Sequence, residues 1–174
     1  VSGTKDFTVT FKTAGSWTVS GSAAPSTFTG TSAAVTTVAG ALAKLQLLVP
    51  GETAAPGTAS GKTGTPSAAT AGTAFNVTVN GVDANWNVVS TATDNIAITA
   101  SDPDATLPAN NTLSSGTRTF SVQLNTAGSA TVTATDVTNG AITANTSPSI
   151  TVNAGAFSQL QVLLPGETTD PGST

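Results

Sequence analysis

The chain contains no histidine, cysteine, methionine or tyrosine. Without histidine or cysteine, the usual nucleophile–base pairs and the nitrogen and sulfur ligands of zinc sites have no raw material. The only glutamates, Glu52 and Glu167, are copies of one another about a domain length apart. They do not make the carboxylate pair, within about 10 Å, that glycoside hydrolysis needs. The sequence therefore reads as a non-enzyme with no cofactor. Disulfide stapling is excluded, and no redox compartment is indicated. Charge is scarce as well: 8% of residues are ionisable, against about a quarter in ordinary globular chains. The net charge of −4 offers no basic patch to meet phosphates, which argues against nucleic acid. No apolar run approaches the length of a bilayer crossing, so no membrane span is expected in this window. Its N-terminus has neither the basic run nor the apolar core of a signal peptide.

Threonine takes the place of charge, with 35 of 174 residues. Its β-branch favours strands and its hydroxyl keeps them soluble. A threonine-rich surface with so little charge also gives weak repulsion between copies, so lateral association is easy.

The chain also repeats itself. Pro50-Gly51-Glu52-Thr53 returns as Pro165-Gly166-Glu167-Thr168 at an offset of 115 residues. Ser2-Gly3-Thr4-Lys5 matches Ser115-Gly116-Thr117-Arg118, and Thr13-Ala14-Gly15-Ser16 matches Thr126-Ala127-Gly128-Ser129, both at 113. Such a period predicts three segments. Residues 1–40 match the second half of a unit, 41–155 make one whole unit, and 156–174 begin another. The middle segment is long enough to bury a core unaided.

Strict alternation places Phe7, Val9 and Phe11 on one strand face, and Phe120, Val122 and Leu124 on its copy. Leu45, Leu47 and Val49 alternate with Lys44, Gln46 and Leu48, which are expected to point outward. Phe75, Val77 and Val79 alternate in the same way, and Ile96 with Ile98, Val132 with Ala134, and Ile150 with Val152 mark further strands. About seven short alternating strands without helical periodicity predict an all-β, two-layer sandwich. Residues 50–70, rich in proline and glycine, predict a long loop or extended crossover. Packing between units, ligand contact and mobility are all open to it.

Several segments carry a family resemblance. They are Ala71 to Val79, Val82-Asp83-Ala84-Asn85-Trp86-Asn87-Val88-Val89, Ser101 to Ala109, Thr126-Ala127-Gly128, and Thr131 to Asp136. In this order they resemble the bacterial immunoglobulin-like repeats of large surface and secreted proteins, including adhesin-like and matrix proteins. The resemblance implies an immunoglobulin-like β-sandwich in tandem, in an extracellular protein that is secreted or held at the cell surface. Two departures mark this chain. Trp86 stands where the family usually has glycine, and the 50–70 segment exceeds the usual link between the first two strands.

Trp86, flanked by Asn85 and Asn87, has three readings: packing onto its own domain, contact with another unit or subunit, and stacking on a sugar. The expectation is that it lies against a neighbouring unit or subunit. Pro50, Glu52, Pro165 and Glu167, in the repeated loop, are the other candidate interface residues. Trp17, whose copy is Ala130, reads as a filler of the core or sheet surface. Asp83, Asp94, Asp102 and Asp104, with Asn85 and Asn87, have oxygens for calcium at a junction between units. They lack a calcium loop's alternating ligands and closing glutamate, and short Asp and Asn side chains commonly cap their own turns. Lys44 is expected to face water, which argues against an internal isopeptide crosslink.

Two functional readings follow. One is a structural or assembly repeat building a stiff fibre or surface layer, whose partners are adjacent repeats or other copies of itself. The other is an adhesin module that binds a glycan or surface protein through loops around Trp86.

Overall fold

The computed structural model describes residues 3–25 and 27–173. Regular structure among them is entirely strand. Four short strands come first: β1 (Gly15–Trp17), β2 (Ser20–Ser22), β3 (Thr29–Thr31) and β4 (Val35–Thr37). Then follow β5 (Lys44–Leu48), β6 (Glu52–Ala54), β7 (Lys62–Gly64), β8 (Ala69–Thr70) and β9 (Thr73–Val82). The remainder are β10 (Asn95–Ala100), β11 (Asn111–Thr112), β12 (Thr117–Leu124), β13 (Gly128–Ala130), β14 (Val132–Asp136), β15 (Asn145–Thr146) and β16 (Ile150–Asn153).

From β5 onward the chain forms an immunoglobulin-like sandwich. One layer is antiparallel in the order β12-β9-β5. The other runs β11-β10-β14-β15 and, beyond a break at Thr131, β13-β16-β8, with β8 parallel to β16. Alternation dictates the core between them. Leu45, Leu47, Val77, Val79, Val122 and Leu124 from the first layer meet Ile96, Val132, Ala134, Ile150 and Val152 from the second, all buried. Strand β5 also closes one side of the sandwich. Its Leu45 N–H donates to Thr143 C=O (2.9 Å), and its Leu47 N–H donates to Asn145 Oδ1 (2.9 Å).

The structure corrects the expectation for the outer face of β5, because Gln46 is fully buried. The 50–70 segment is not an open loop. Its β6–β7 hairpin, with Glu52 opposite Gly64, folds back over β5. Gln46 Nε2 donates to Gly61 C=O (2.7 Å), Asn80 Nδ2 to Gln46 Oε1 (2.9 Å), and Thr117 Oγ1 to Asn80 Oδ1 (2.7 Å). The last two bonds run in register across all three strands of the layer, and the first ties that row to the hairpin. Each satisfies polar groups that burial would otherwise penalise by about 1–3 kcal/mol apiece. A partly buried ion pair pins the hairpin: Lys62 Nζ lies 3.0 Å from Glu52 and also donates to Leu47 C=O (3.1 Å).

Residues 15–37 repeat part of this pattern. Gly15 opposes Thr37 as Gly128 opposes Val152, and Ser20 opposes Thr31 as Thr133 opposes Thr146. The hydroxyls of both latter pairs meet at 2.9 Å. Registers therefore match at offsets of 113 and 115, and the two extra residues fall in the connections between these strands. Burial does not match. Val9 is 51% exposed where its copy Val122 is 0%, because no facing layer covers residues 3–40 among the described residues. Likewise Leu160 and Val162 are exposed where Leu45 and Leu47 are buried.

This contrast is testable by urea denaturation. Leu47→Ala is expected to cost about 2–5 kcal/mol of unfolding free energy. The same truncation at its exposed copy, Val162→Ala, is expected to stay within about 0.5 kcal/mol.

Candidate functional site

The tight turn after β9 is organised by one carboxylate. Asp83 Oδ1 accepts the N–H groups of Asn85 (2.8 Å) and Asn87 (2.9 Å), as short acidic side chains do in Asx turns. Asp83 N–H and Asn87 C=O close the base of the turn at 2.9 Å. The carboxylate also orients the Asn87 amide, whose Nδ2 lies 3.0 Å from Asp83 Oδ2. A carboxylate only accepts, so the amide nitrogen is the end that must face it.

The same two side chains reach residues before the sandwich. Asn87 Nδ2 donates its other hydrogen to Lys12 C=O (2.9 Å), and Asn87 Oδ1 accepts Ala14 N–H (2.8 Å). Asp83 Oδ2 accepts Gly40 N–H (2.8 Å). All three bonds are to main chain. They border a polar cleft of about 190 Å³ lined by Phe11, Lys12, Thr13, Asp83, Asn85 and Asn87.

The hairpin tip completes this junction. Gly57 N–H donates to Asn85 C=O (2.7 Å), and Thr13 Oγ1 approaches Pro56 C=O at 3.4 Å. A Cβ at Gly57 would collide with Thr13 Oγ1, and φ there is +82°. Glycine is therefore required twice over. At the opposite pole, Thr126 Oγ1 lies 3.1 Å from Pro171 C=O, and a Cβ at Gly172 would again strike the threonine hydroxyl. The Pro-Gly tip on a Thr-Ala-Gly turn thus occurs twice. Asp102 holds the second turn from behind, accepting Asn125 N–H (2.7 Å), Thr126 N–H (3.0 Å) and Thr126 Oγ1–H (2.8 Å).

Of the residues singled out from sequence, Asn85 and Asn87 belong to the junction. Trp86 is held within its own sandwich: Gly61 packs against the indole, Nε1 donates to Ala59 C=O (3.2 Å), and Lys44 Nζ sits 3.5 Å from the ring centroid. Its φ of 70° is left-handed, which explains why glycine suits this position. The strain of about 1–2 kcal/mol is offset by ring packing and a cation–π contact worth about 0.5–1 kcal/mol. Lys44 does not simply point into water, since it also donates to Ala84 C=O (3.0 Å).

Glu52 is nearly inaccessible beside Lys62 and accepts Val49 N–H (3.2 Å), while Pro50 C=O accepts Ser67 N–H (2.7 Å). Both brace the hairpin base. Glu167 builds the same capped turn on Leu164 N–H (2.8 Å), with Pro165 beside it, but stays exposed. Trp17 stacks on Phe11 at 6.5 Å. Turn capping, the common role of such residues, is what Asp83 does, but the three main-chain groups it and Asn87 reach, and the Pro-Gly tips, were not foreseen from sequence. The copied Thr-Ala-Gly and Pro-Gly pairs were the available signal.

Burial by itself would raise the Asp83 carboxyl. The hydrogen bonds from Gly40, Asn87 and Asn85 outweigh it and hold the group below its ordinary 3.8. Asp102 is lowered in the same way, burial being overcome by donors from Thr126, Asn125 and Asp104. Oxygens so filled with donors are turn caps, and a cation would have to displace those donors to bind. Among the described residues, no group of three or more acidic side chains converges to hold a metal.

No protein-family model matches the chain, and no curated protein matches it. Solved structures do resemble it. A glycosyl hydrolase family 2 member from Bacteroides cellulosilyticus is 18% identical over 72% of this chain, with a TM-score of 0.46. The β-glucuronidase of Parabacteroides merdae is 11% identical over 77% of this chain, also at 0.46. The chain spans only 16% of the length of each. At this identity and superposition, the likeness carries no inference about chemistry.

Two outcomes follow from the site. Both carboxyls titrate lower in the folded chain than when unfolded, so their stabilising contribution is complete above the unfolded pKa near 3.8. It is lost as pH falls through the lower folded value. Urea midpoints should therefore drop as pH is taken below about 4, and Asp102→Asn should flatten that dependence. At the hairpin, Gly61→Ala should strongly destabilise by driving Cβ into the indole. Adding Trp86→Gly should restore part of the loss, as a double-mutant cycle in thermal denaturation would reveal.

Proposed function

We propose that the chain is a stretch of serial repeats, with residues 1–40 and 156–174 belonging to the units on either side of 41–155. We further propose that its function is structural: to build a stiff fibre or surface layer outside the cell. The observation that supports this most is the recurrence of one contact, a Pro-Gly tip on a Thr-Ala-Gly turn, at Pro56–Thr13 and again at Pro171–Thr126. A contact repeated at the period of the sequence sets successive units at the same angle. A constant angle makes the string regular, a rod or an open helix, unlike a randomly jointed chain. Low charge and a threonine-rich surface then permit association between neighbouring strings. The rival reading, a glycan-binding module centred on Trp86, is weakened because Gly61 and Lys44 already occupy the indole.

Electron microscopy of the native material tests the proposal. The ten-residue strand β9 rises about 3.3 Å per residue, so each unit should add roughly 40 Å of length once its turns are included. Straight rods with that axial period are expected. Flexible strings of randomly oriented beads, or separate globular particles, would overturn the reading.

A further inference from the structure

The turn at residues 83–87 recognises the segment before it without reading any side chain. Asn87 behaves as a short piece of strand, with its amide N–H on Lys12 C=O and its amide oxygen on Ala14 N–H, while Asp83 takes Gly40 N–H. The pair is well suited to this. Asn87 is 6% exposed and Asp83 4%, so the bonds form away from water. Asp83 also fixes which end of the Asn87 amide is donor and which is acceptor.

The copies of these three main-chain groups lie at the other pole of the sandwich. They are Asn125 C=O, Ala127 N–H and Gly155 N–H, offset from Lys12, Ala14 and Gly40 by 113, 113 and 115 residues. Ala127 and Gly155 are exposed. None of the three groups engages in a hydrogen bond among the described residues. The Asn125–Ala127 turn is nonetheless rigidly held, because Asp102 accepts both the Asn125 and Thr126 N–H groups. The Pro171-Gly172 tip already sits on Thr126 there, just as Pro56-Gly57 sits on Thr13 at the first pole.

We propose that this pole is the docking surface for a second Asp83–Asn87 turn, that of a following copy of the same unit. The main-chain groups of Asn125, Ala127 and Gly155 are the acceptor and donors it would engage. The occupant is specified by chemistry: a buried Asp that caps its own turn and presents an Asn amide, delivered in register by the hairpin tip. The inference rests on the serial reading above and adds the surface by which one unit recognises the next. Because only main chain is read, any unit ending in the same turn geometry is accepted, whatever residue occupies the Lys12 or Asn125 position.

The test extends the full chain after residue 174 with a second copy of residues 60–155, which restores the 115-residue step. Amide hydrogen exchange of Ala127 and Gly155 is followed by NMR in the original and extended chains, with Ala14 and Gly40 as internal references. Extension should slow both amides by about ten-fold or more. Asn87→Ala in the added copy should abolish the slowing at Ala127, while core amides of the added copy confirm that it folds. Unchanged exchange at Ala127 and Gly155, beside a protected core in the added copy, overturns the docking surface. Electron microscopy of that extended chain separates the two ideas. Collinear units with unprotected amides would remove the latch and leave the serial reading standing, whereas freely jointed units would remove both.

Discussion

The structure turns on the Asp83 carboxylate. In one place it caps the turn after β9, sets the donor and acceptor ends of the Asn87 amide, and receives Gly40 N–H from the connection that enters the sandwich. A buried charge without a cationic partner is normally expensive. Here the cost is met by N–H donors alone, and their combined effect exceeds burial in setting the direction of its pKa. Remove the carboxylate and three things loosen together: the turn, the orientation of Asn87, and the seat of residues 12–14. Asp102 does the equivalent work at the far pole, where it holds the Asn125–Thr126 turn. The two ends of the sandwich are therefore stiffened by the same device.

That device suits a chain with so little charge. Surface ion pairs contribute little even when abundant, and one ion pair, Lys62–Glu52, is formed among the described residues. Polar satisfaction comes instead from short amides and hydroxyls at close range. The row Gln46–Asn80–Thr117 shows how far this goes. Three uncharged side chains occupy one sheet face, buried at Gln46 and Asn80 and open at Thr117, and each finds its partner across the strands. The hairpin has two roles for the same reason. Its stem satisfies Gln46 over the sheet, while its tip carries Gly57 and Pro56 to the junction.

Alternation made the inward faces of β5, β9, β12 and β16 legible, because a period of two leaves only one way to hide a valine row. The copied segments made the matching registers legible too. The burial of Gln46 was not, since its position in the alternation is outward and nothing local signals that a hairpin folds back over it. Asp83 was visible as a residue that caps its own turn or offers oxygen to a cation, and the cap is what forms. Its link to Gly40, and that of Asn87 to Lys12 and Ala14, spans 43, 75 and 73 residues, and no periodicity reports contacts at that distance. Trp86 stood out by size and apparent exposure. What decides its environment is a left-handed backbone beside Gly61, which aims the indole at the hairpin.

The drift between copies now has a physical explanation. Under the proposed latch, the change from Lys12 to Asn125 leaves the group to be engaged unaltered, because the carbonyl is common to both. Ala14 and Ala127 keep a small side chain beside an N–H, and Gly57 and Gly172 keep the clearance that the threonine hydroxyl requires. Constraint therefore falls on turn geometry and on glycine, while side-chain identity at the rim is released. A junction that read side chains would force each neighbouring pair of units to change together. The main-chain latch proposed above would instead let every unit diverge on its surface and still fit its predecessor, which is the condition a long array would have to meet to keep one angle throughout.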